Sequence, residues 1–162
     1  MALPNIYTIG YEGAAVEDLI ATLKQAGVTR VLDIREVPYS RRQEFSTDAI
    51  AAVLGQYGIA YTHIRELGNP QAGREAARMG HAAAFREIFT AHLDSRDGQN
   101  GLSRALTLAA KEPVCLLCME KAPAHCHRSM VAAKMHEASV QEIIHLHVAR
   151  KIAHPGQAAF DF

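Results

Sequence analysis

Val114-Cys115-Leu116-Leu117-Cys118-Met119 is the stretch on which the fold turns. It is a near-continuous apolar run opened by Pro113, and it reads as a central β-strand buried on both faces. Such a strand needs helices above and below the sheet, which is the arrangement of parallel sheets with crossover connections. Working outward, Ile6-Tyr7-Thr8-Ile9, Thr29 to Ile34, Ile59 to Ile64 and Glu142 to Val148 read as the other strands. Between them apolar residues recur at helical spacing: Val16, Leu19, Ile20, Leu23 and Ala26 with Gly27 as a C-terminal cap, then Ile50, Val53, Leu54 and Tyr57 ended by Gly58. Phe85 to Leu93, Leu102 to Ala110 and Ser129 to Ala138 read as further helices. Arg65 to Gly80, rich in Gly and containing Pro70, reads as a long surface loop, and Asp97 to Gly101 as a Gly-rich break between helices.

The expected fold is therefore α/β: three layers, a mainly parallel sheet of about five strands, and helices on both faces. At 162 residues the chain is expected to form a single domain over 1–162. Apolar residues at 49% and charged residues at 21% exclude a disordered or fibrous chain. Lys plus Arg equals Asp plus Glu at 17 each, so no global positive field supports nucleic acid as a partner. The start lacks the pattern of a secretory signal, and no run approaches the roughly 20 apolar residues of a membrane span. The expected location is the cytosol, away from membranes. Three cysteines are too few and odd in number for a disulfide framework, so reduced thiols are expected.

In parallel α/β sheets, ligands bind beyond the carboxyl ends of the strands, where helix N-termini offer unpaired N–H groups. That rule selects Gly10, Tyr11 and Glu12 after the first strand, Asp33 and Arg35 after the second, and Glu120 to Arg128 after the fourth. Asp33 and Arg35, two residues apart, should project to one face, either as partners in a pocket or as an ion pair closing the strand. Arg41 is a candidate anion ligand in the loop that follows. Cys126 just ahead of a helix, beside His127 and Arg128, sits where dipole and cations stabilise a thiolate. It is read as a nucleophile or a small group fixing the loop. His127 is a general base, a ligand hydrogen-bonder or a cap, and Glu120 a carboxylate for acid–base work. Arg128 offers a planar fork for phosphate or carboxylate.

No metal ligand set is expected. Cys115 and Cys118 have the spacing of a CxxC pair, but in a strand they point to opposite faces, and no second pair follows. His145 and His147 alternate in a strand as one polar face. No Walker loop, dinucleotide fingerprint, HExxH or GxSxG is present, so no cofactor is assigned.

Tyr7-Thr8-Ile9-Gly10, Asp33-Ile34-Arg35 with Pro38 and Ser40, Tyr61 with Leu67-Gly68, and Cys118-Met119-Glu120 followed by Cys126-His127-Arg128 occur in this order. Together they resemble the bacterial and archaeal family called domain of unknown function 488, over about Ile6 to Met135. The family usually reads Gly-His-Ser where this chain has Gly10-Tyr11-Glu12, so a role resting on that His and hydroxyl has no residue to carry it here. The strand end at Cys118, the loop and the helix start at Arg128 also resemble the anion-cradling loop of rhodaneses and Cys-dependent phosphatases, although this loop is longer than either signature. The resulting expectation is an enzyme acting on a phosphate-bearing or otherwise anionic substrate at the strand ends. The catalytic candidates are Asp33, Glu120, Cys126 and His127, and the anion-binding candidates are Gly10, Tyr11, Arg35, Arg41 and Arg128. The alternative is a non-catalytic module that binds an anion, a nucleotide or nucleic acid at the same groups.

Overall fold

The computed structural model describes residues 2–38, 40–123 and 126–150. Five strands, β1 (Ile6–Gly10), β2 (Arg30–Asp33), β3 (Ala60–His63), β4 (Val114–Cys118) and β5 (Ile143–His145), form one sheet in the order β3-β2-β4-β1-β5. Every neighbouring pair is parallel. The strand order could not be read from the sequence, because pairing depends on contacts far apart in the chain.

β4 lies at the centre, buried along its whole length between β1 and β2. Its alternation divides the core. Val114 and Leu116 join Phe89, Leu93, Ala105 and Met135, whereas Cys115 and Leu117 join Leu19, Leu23, Ile50 and Leu54. Helices α1 (Val16–Ala26) and α2 (Thr47–Gln56) supply the second layer of contacts. On the opposite face lie α3 (Gln71–Arg78), α4 (Ala82–Asp94), α5 (Arg96–Ala109) and α6 (His127–Ser139). Each large aliphatic side chain buried this way contributes about 1.5–3 kcal/mol relative to exposure. Two stripes of them, one per face, hold the three-layer arrangement. No helix among the described residues is long and apolar enough to cross a membrane.

Two local expectations are corrected. Arg65 to Gly80 is ordered as a short 3-10 turn at Arg65–Leu67 followed by α3, rather than as a loop. Leu67 and Ala76 are buried in the core, and tertiary packing of this kind overrides the weak helix propensity of a Gly-containing segment. The expected break at Asp97–Gly101 is instead the first half of α5, capped by the Ser95 hydroxyl, which accepts from the Gly98 N–H at 3.2 Å. Its glycines serve close packing. A Cβ at Gly98 would lie 2.2 Å from the His92 carbonyl oxygen, and one at Gly101 would lie 3.0 Å from Leu67.

Candidate functional site

Because β2, β4 and β1 are adjacent, their carboxyl ends deliver Asp33 and Arg35, Cys118 and Glu120, and Gly10 and Tyr11 to one edge of the sheet. A cavity of about 410 Å³ opens there, and its walls include Tyr11, Arg35, Arg74, Cys118, Glu120 and His127. This is the region beyond the strand ends where open α/β sheets bind ligands.

Asp33 is fully buried and every bond it makes holds something in place. Its Oδ1 accepts from the Arg35 backbone N–H at 3.1 Å and Nε at 2.9 Å, and its Oδ2 accepts from Arg35 Nη2 at 2.6 Å and the Tyr61 hydroxyl at 2.5 Å. The two side chains do project to one face, as their spacing predicts, and they meet as a bidentate fork. Burial opposes the charge on Arg35, but Asp33 outweighs it and holds the guanidinium more firmly protonated than usual. Burial, then the Asp33 carboxylate, likewise hold the Tyr61 phenol protonated. Arg35 also donates from Nη1 to the Tyr11 hydroxyl at 3.3 Å, and the Tyr11 ring stacks on Phe45 with centroids 4.3 Å apart. The catalytic candidate Asp33 thus spends both oxygens on Arg35 and Tyr61, and Arg35 lines the cavity.

The chain leaving β2 is pinned by two imidazoles. His127 Nε2 donates to the Ile34 carbonyl at 2.8 Å, and His63 Nε2 donates to the Arg35 carbonyl at 2.6 Å. Since a carbonyl only accepts, the proton of His127 is on Nε2, and Nδ1 carries a lone pair that lies 3.6 Å from Cys126 Sγ. Burial depresses the His127 pKa to about 4, so the ring is neutral near neutral pH. Phe89 packs edge-on against it with centroids 5.2 Å apart.

Cys126 is the N-cap of α6, and its Sγ accepts from the Arg128 backbone N–H at 3.5 Å. Residues 124 and 125 of the loop before it lie outside the described residues. A disulfide joins Cys118 to Cys126, which departs from the expectation of three reduced thiols, and Cys115 is the free cysteine among the described residues. Cys115 faces the other side of the sheet, as the strand alternation predicts, and burial pushes its thiol pKa up. Glu120, half-buried at the cavity wall, completes a group in which a carboxylate oxygen and both sulfurs lie within 4.8 Å of one another. Burial raises the Glu120 pKa.

Arg128 differs from the expected anion clamp. It is the largest fully buried side chain, and its nitrogens are spent on the protein. Nε donates to Thr8 Oγ1 at 3.1 Å, Nη1 to Cys118 Sγ at 3.0 Å and to the Glu120 carbonyl, and Nη2 to the Lys121 carbonyl at 3.2 Å. Its role is to tie β1, β4 and the following loop together. Gly10 serves the same junction, because a Cβ there would lie 1.7 Å from the Glu120 carbonyl oxygen. Gly10 therefore makes room for the loop, and it borders a separate small cavity of about 70 Å³ beside Glu12 and Lys121. Arg41 is exposed and outside the walls of the main cavity.

The sequence reading missed Arg74, which lines the cavity from α3, donates to the Asn69 carbonyl at 2.8 Å and pairs with Glu36 at 3.1 Å. No local signal marked it, since its segment reads as a loop. It also left Tyr61 and Cys118 out of the site, although both stand in the motifs quoted above. Tyr61 reaches Asp33 from β3, and Cys118 ends β4 at the cavity wall.

A family model described as domain of unknown function DUF488 matches residues 15–135. None of the curated proteins matches the chain, nor does any solved structure. The match spans β2, β3, β4, every helix through most of α6, and all the cavity residues except Tyr11. The chain belongs to the DUF488 family.

Proposed function

We propose that the chain is an enzyme acting on an anionic, phosphate-bearing small molecule that enters the cavity at the ends of β1, β2 and β4. One observation carries this reading: a cavity of about 410 Å³ is lined both by cations, Arg35 and Arg74, and by Cys118, Glu120 and His127. Three N–H groups of Arg35 are used within the protein, and a guanidinium offers five, so the remainder serve an incoming anion. Arg74 is more exposed and shares its charge with Glu36, so an anion exchanges with that carboxylate on entry. Asp33 orients Arg35 and takes no proton from substrate. The chemistry falls to Cys118, Glu120 and His127 on the cavity wall, with Cys126 joined to Cys118.

The second reading is a binding module without turnover. It is favoured by the saturation of Asp33 and Arg128, whose bonds all serve the scaffold.

A panel of phosphomonoesters, nucleotides and inorganic phosphate separates the two when binding is followed by thermal stabilisation and turnover by mass spectrometry. The enzyme reading requires a product that Glu120→Gln abolishes while binding persists, with Arg74→Ala weakening binding. Stabilisation by a ligand that is recovered unchanged in every case would leave the module. No stabilisation by any anion would remove both readings.

A further inference from the structure

We infer that, once a thiol reductant opens the Cys118–Cys126 disulfide by thiol–disulfide exchange and is itself oxidised to a disulfide, Cys118, Glu120 and Cys126 form a binding site for a soft or borderline divalent metal ion, zinc in the first place, with an open position toward the cavity. The inference deepens the reading of this site as reactive, and it assigns the two sulfurs as ligands rather than as a free nucleophile. It does not depend on what the cavity binds.

Three observations converge. The donor atoms are already gathered: both sulfurs and a Glu120 carboxylate oxygen lie within 4.8 Å of one another. Two thiolates and a carboxylate are a ligand set that zinc accepts, with Zn–S near ~2.3 Å and Zn–O near ~2.1 Å. Second, the backbone spacing suits a shared ion. The Cα atoms of Cys118 and Cys126 are 7.5 Å apart. Sulfurs held on one zinc sit about 3.8 Å apart in tetrahedral geometry, a gap that two cysteine side chains bridge from this Cα separation.

The third observation is electrostatic. Arg128 is fully buried, and the Glu120 carboxylate attracts its charge. Its hydrogen-bond partners are a hydroxyl, two carbonyls and Cys118 Sγ. A buried cation beside the donor set stabilises an anionic cluster there. Two thiolates and one carboxylate around a divalent ion sum to a single negative charge, which Arg128 offsets. Its hydrogen bond to Cys118 Sγ is then the kind of outer contact that orients a metal ligand.

Cys118 and Glu120 both line the cavity, so the remaining coordination position faces it. Three protein ligands with one open position is the arrangement of catalytic rather than structural zinc sites.

Cobalt(II) added anaerobically to the reduced full-length chain tests the site directly. The expected result is a near-ultraviolet thiolate-to-cobalt band together with the visible bands of a four-coordinate ion, all abolished when zinc displaces cobalt. Cys115→Ser should leave the spectrum intact, and Cys118→Ser and Cys126→Ser should each remove one thiolate's share of the near-ultraviolet band. Glu120→Gln should shift the visible bands and weaken binding about tenfold or more. A fully reduced wild-type chain, with all three thiols titratable, that gives no thiolate band overturns the proposal, and that result does not depend on whether any variant folds. Stabilisation of the metal-free chain by inorganic phosphate tests the anion reading separately, so either can fail alone.

Discussion

Two buried arginines stand at the same edge of the sheet, one lining the cavity and one behind its wall, and their charges are met in different ways. Arg35 has its carboxylate two residues away, gripped at 2.9 and 2.6 Å, and the pair behaves as a closed electrostatic unit. Arg128 is buried more completely, yet its hydrogen bonds go to uncharged oxygens and one sulfur. The contrast teaches that local spacing suffices to make the first unit, whereas the second exists only where β1, β4 and the start of α6 converge. It also explains why the two arginines have different tasks. Arg35 presents an edge to the cavity, and Arg128 holds the cavity's chemical wall in place.

Breaking the closed unit should cost most. Asp33→Asn leaves Arg35 buried without its counter-charge and removes the acceptor of Tyr61's short hydrogen bond, so the unfolding free energy in urea should fall by about 4 kcal/mol. Arg128→Met keeps much of the volume but strands the Glu120 and Lys121 carbonyls and leaves the Thr8 hydroxyl only its contact with His145. The same measurement should show a loss of about 3 kcal/mol. If Arg128→Met proved as stable as wild type, the burial of that charge would have no electrostatic compensation to lose, and the contrast would collapse.

Gly10→Ala probes the junction without removing a charge, although its Cβ would also lie 2.9 Å from Arg128 Nη1. Its Cβ would run into the Glu120 backbone, and overpacking of this kind should cost about 2–3 kcal/mol. Hydrogen exchange should then show the loop after β4 opening first. Tyr61→Phe has the smallest expected effect, about 1.5 kcal/mol, because Asp33 Oδ2 keeps its bond to Arg35 Nη2. A larger loss would mean that the Tyr61 hydroxyl, and not Arg35 alone, decides the orientation of Asp33.

How far the site was legible follows the same division. Asp33 and Arg35 could be paired on paper because alternate residues at a strand end share a face, and their fork bears this out. The opposite facing of Cys115 and Cys118 followed from the same period. Arg128 was only partly legible, since four of its five N–H groups are used within the protein. Its position at a helix start suggests an anion clamp, and only the packing of three elements around it shows that its donors are used internally. Arg74 was hidden because Gly73 and Pro70 make its segment read as a loop, although the buried Ala76 and Leu67 anchor α3 and the turn before it.

The sequence by itself determined the α/β class, the positions of all five strands and the edge where chemistry gathers. Those features rest on short-range regularities: apolar period, strand-end placement and helix caps. Tertiary structure alone decided the order β3-β2-β4-β1-β5, the ordering of Arg65 to Gly80, the internal role of Arg128, and the meeting of Cys118 and Cys126 with Glu120. Each of these depends on contacts between segments distant in the chain, where burial and shape, rather than local pattern, select the arrangement.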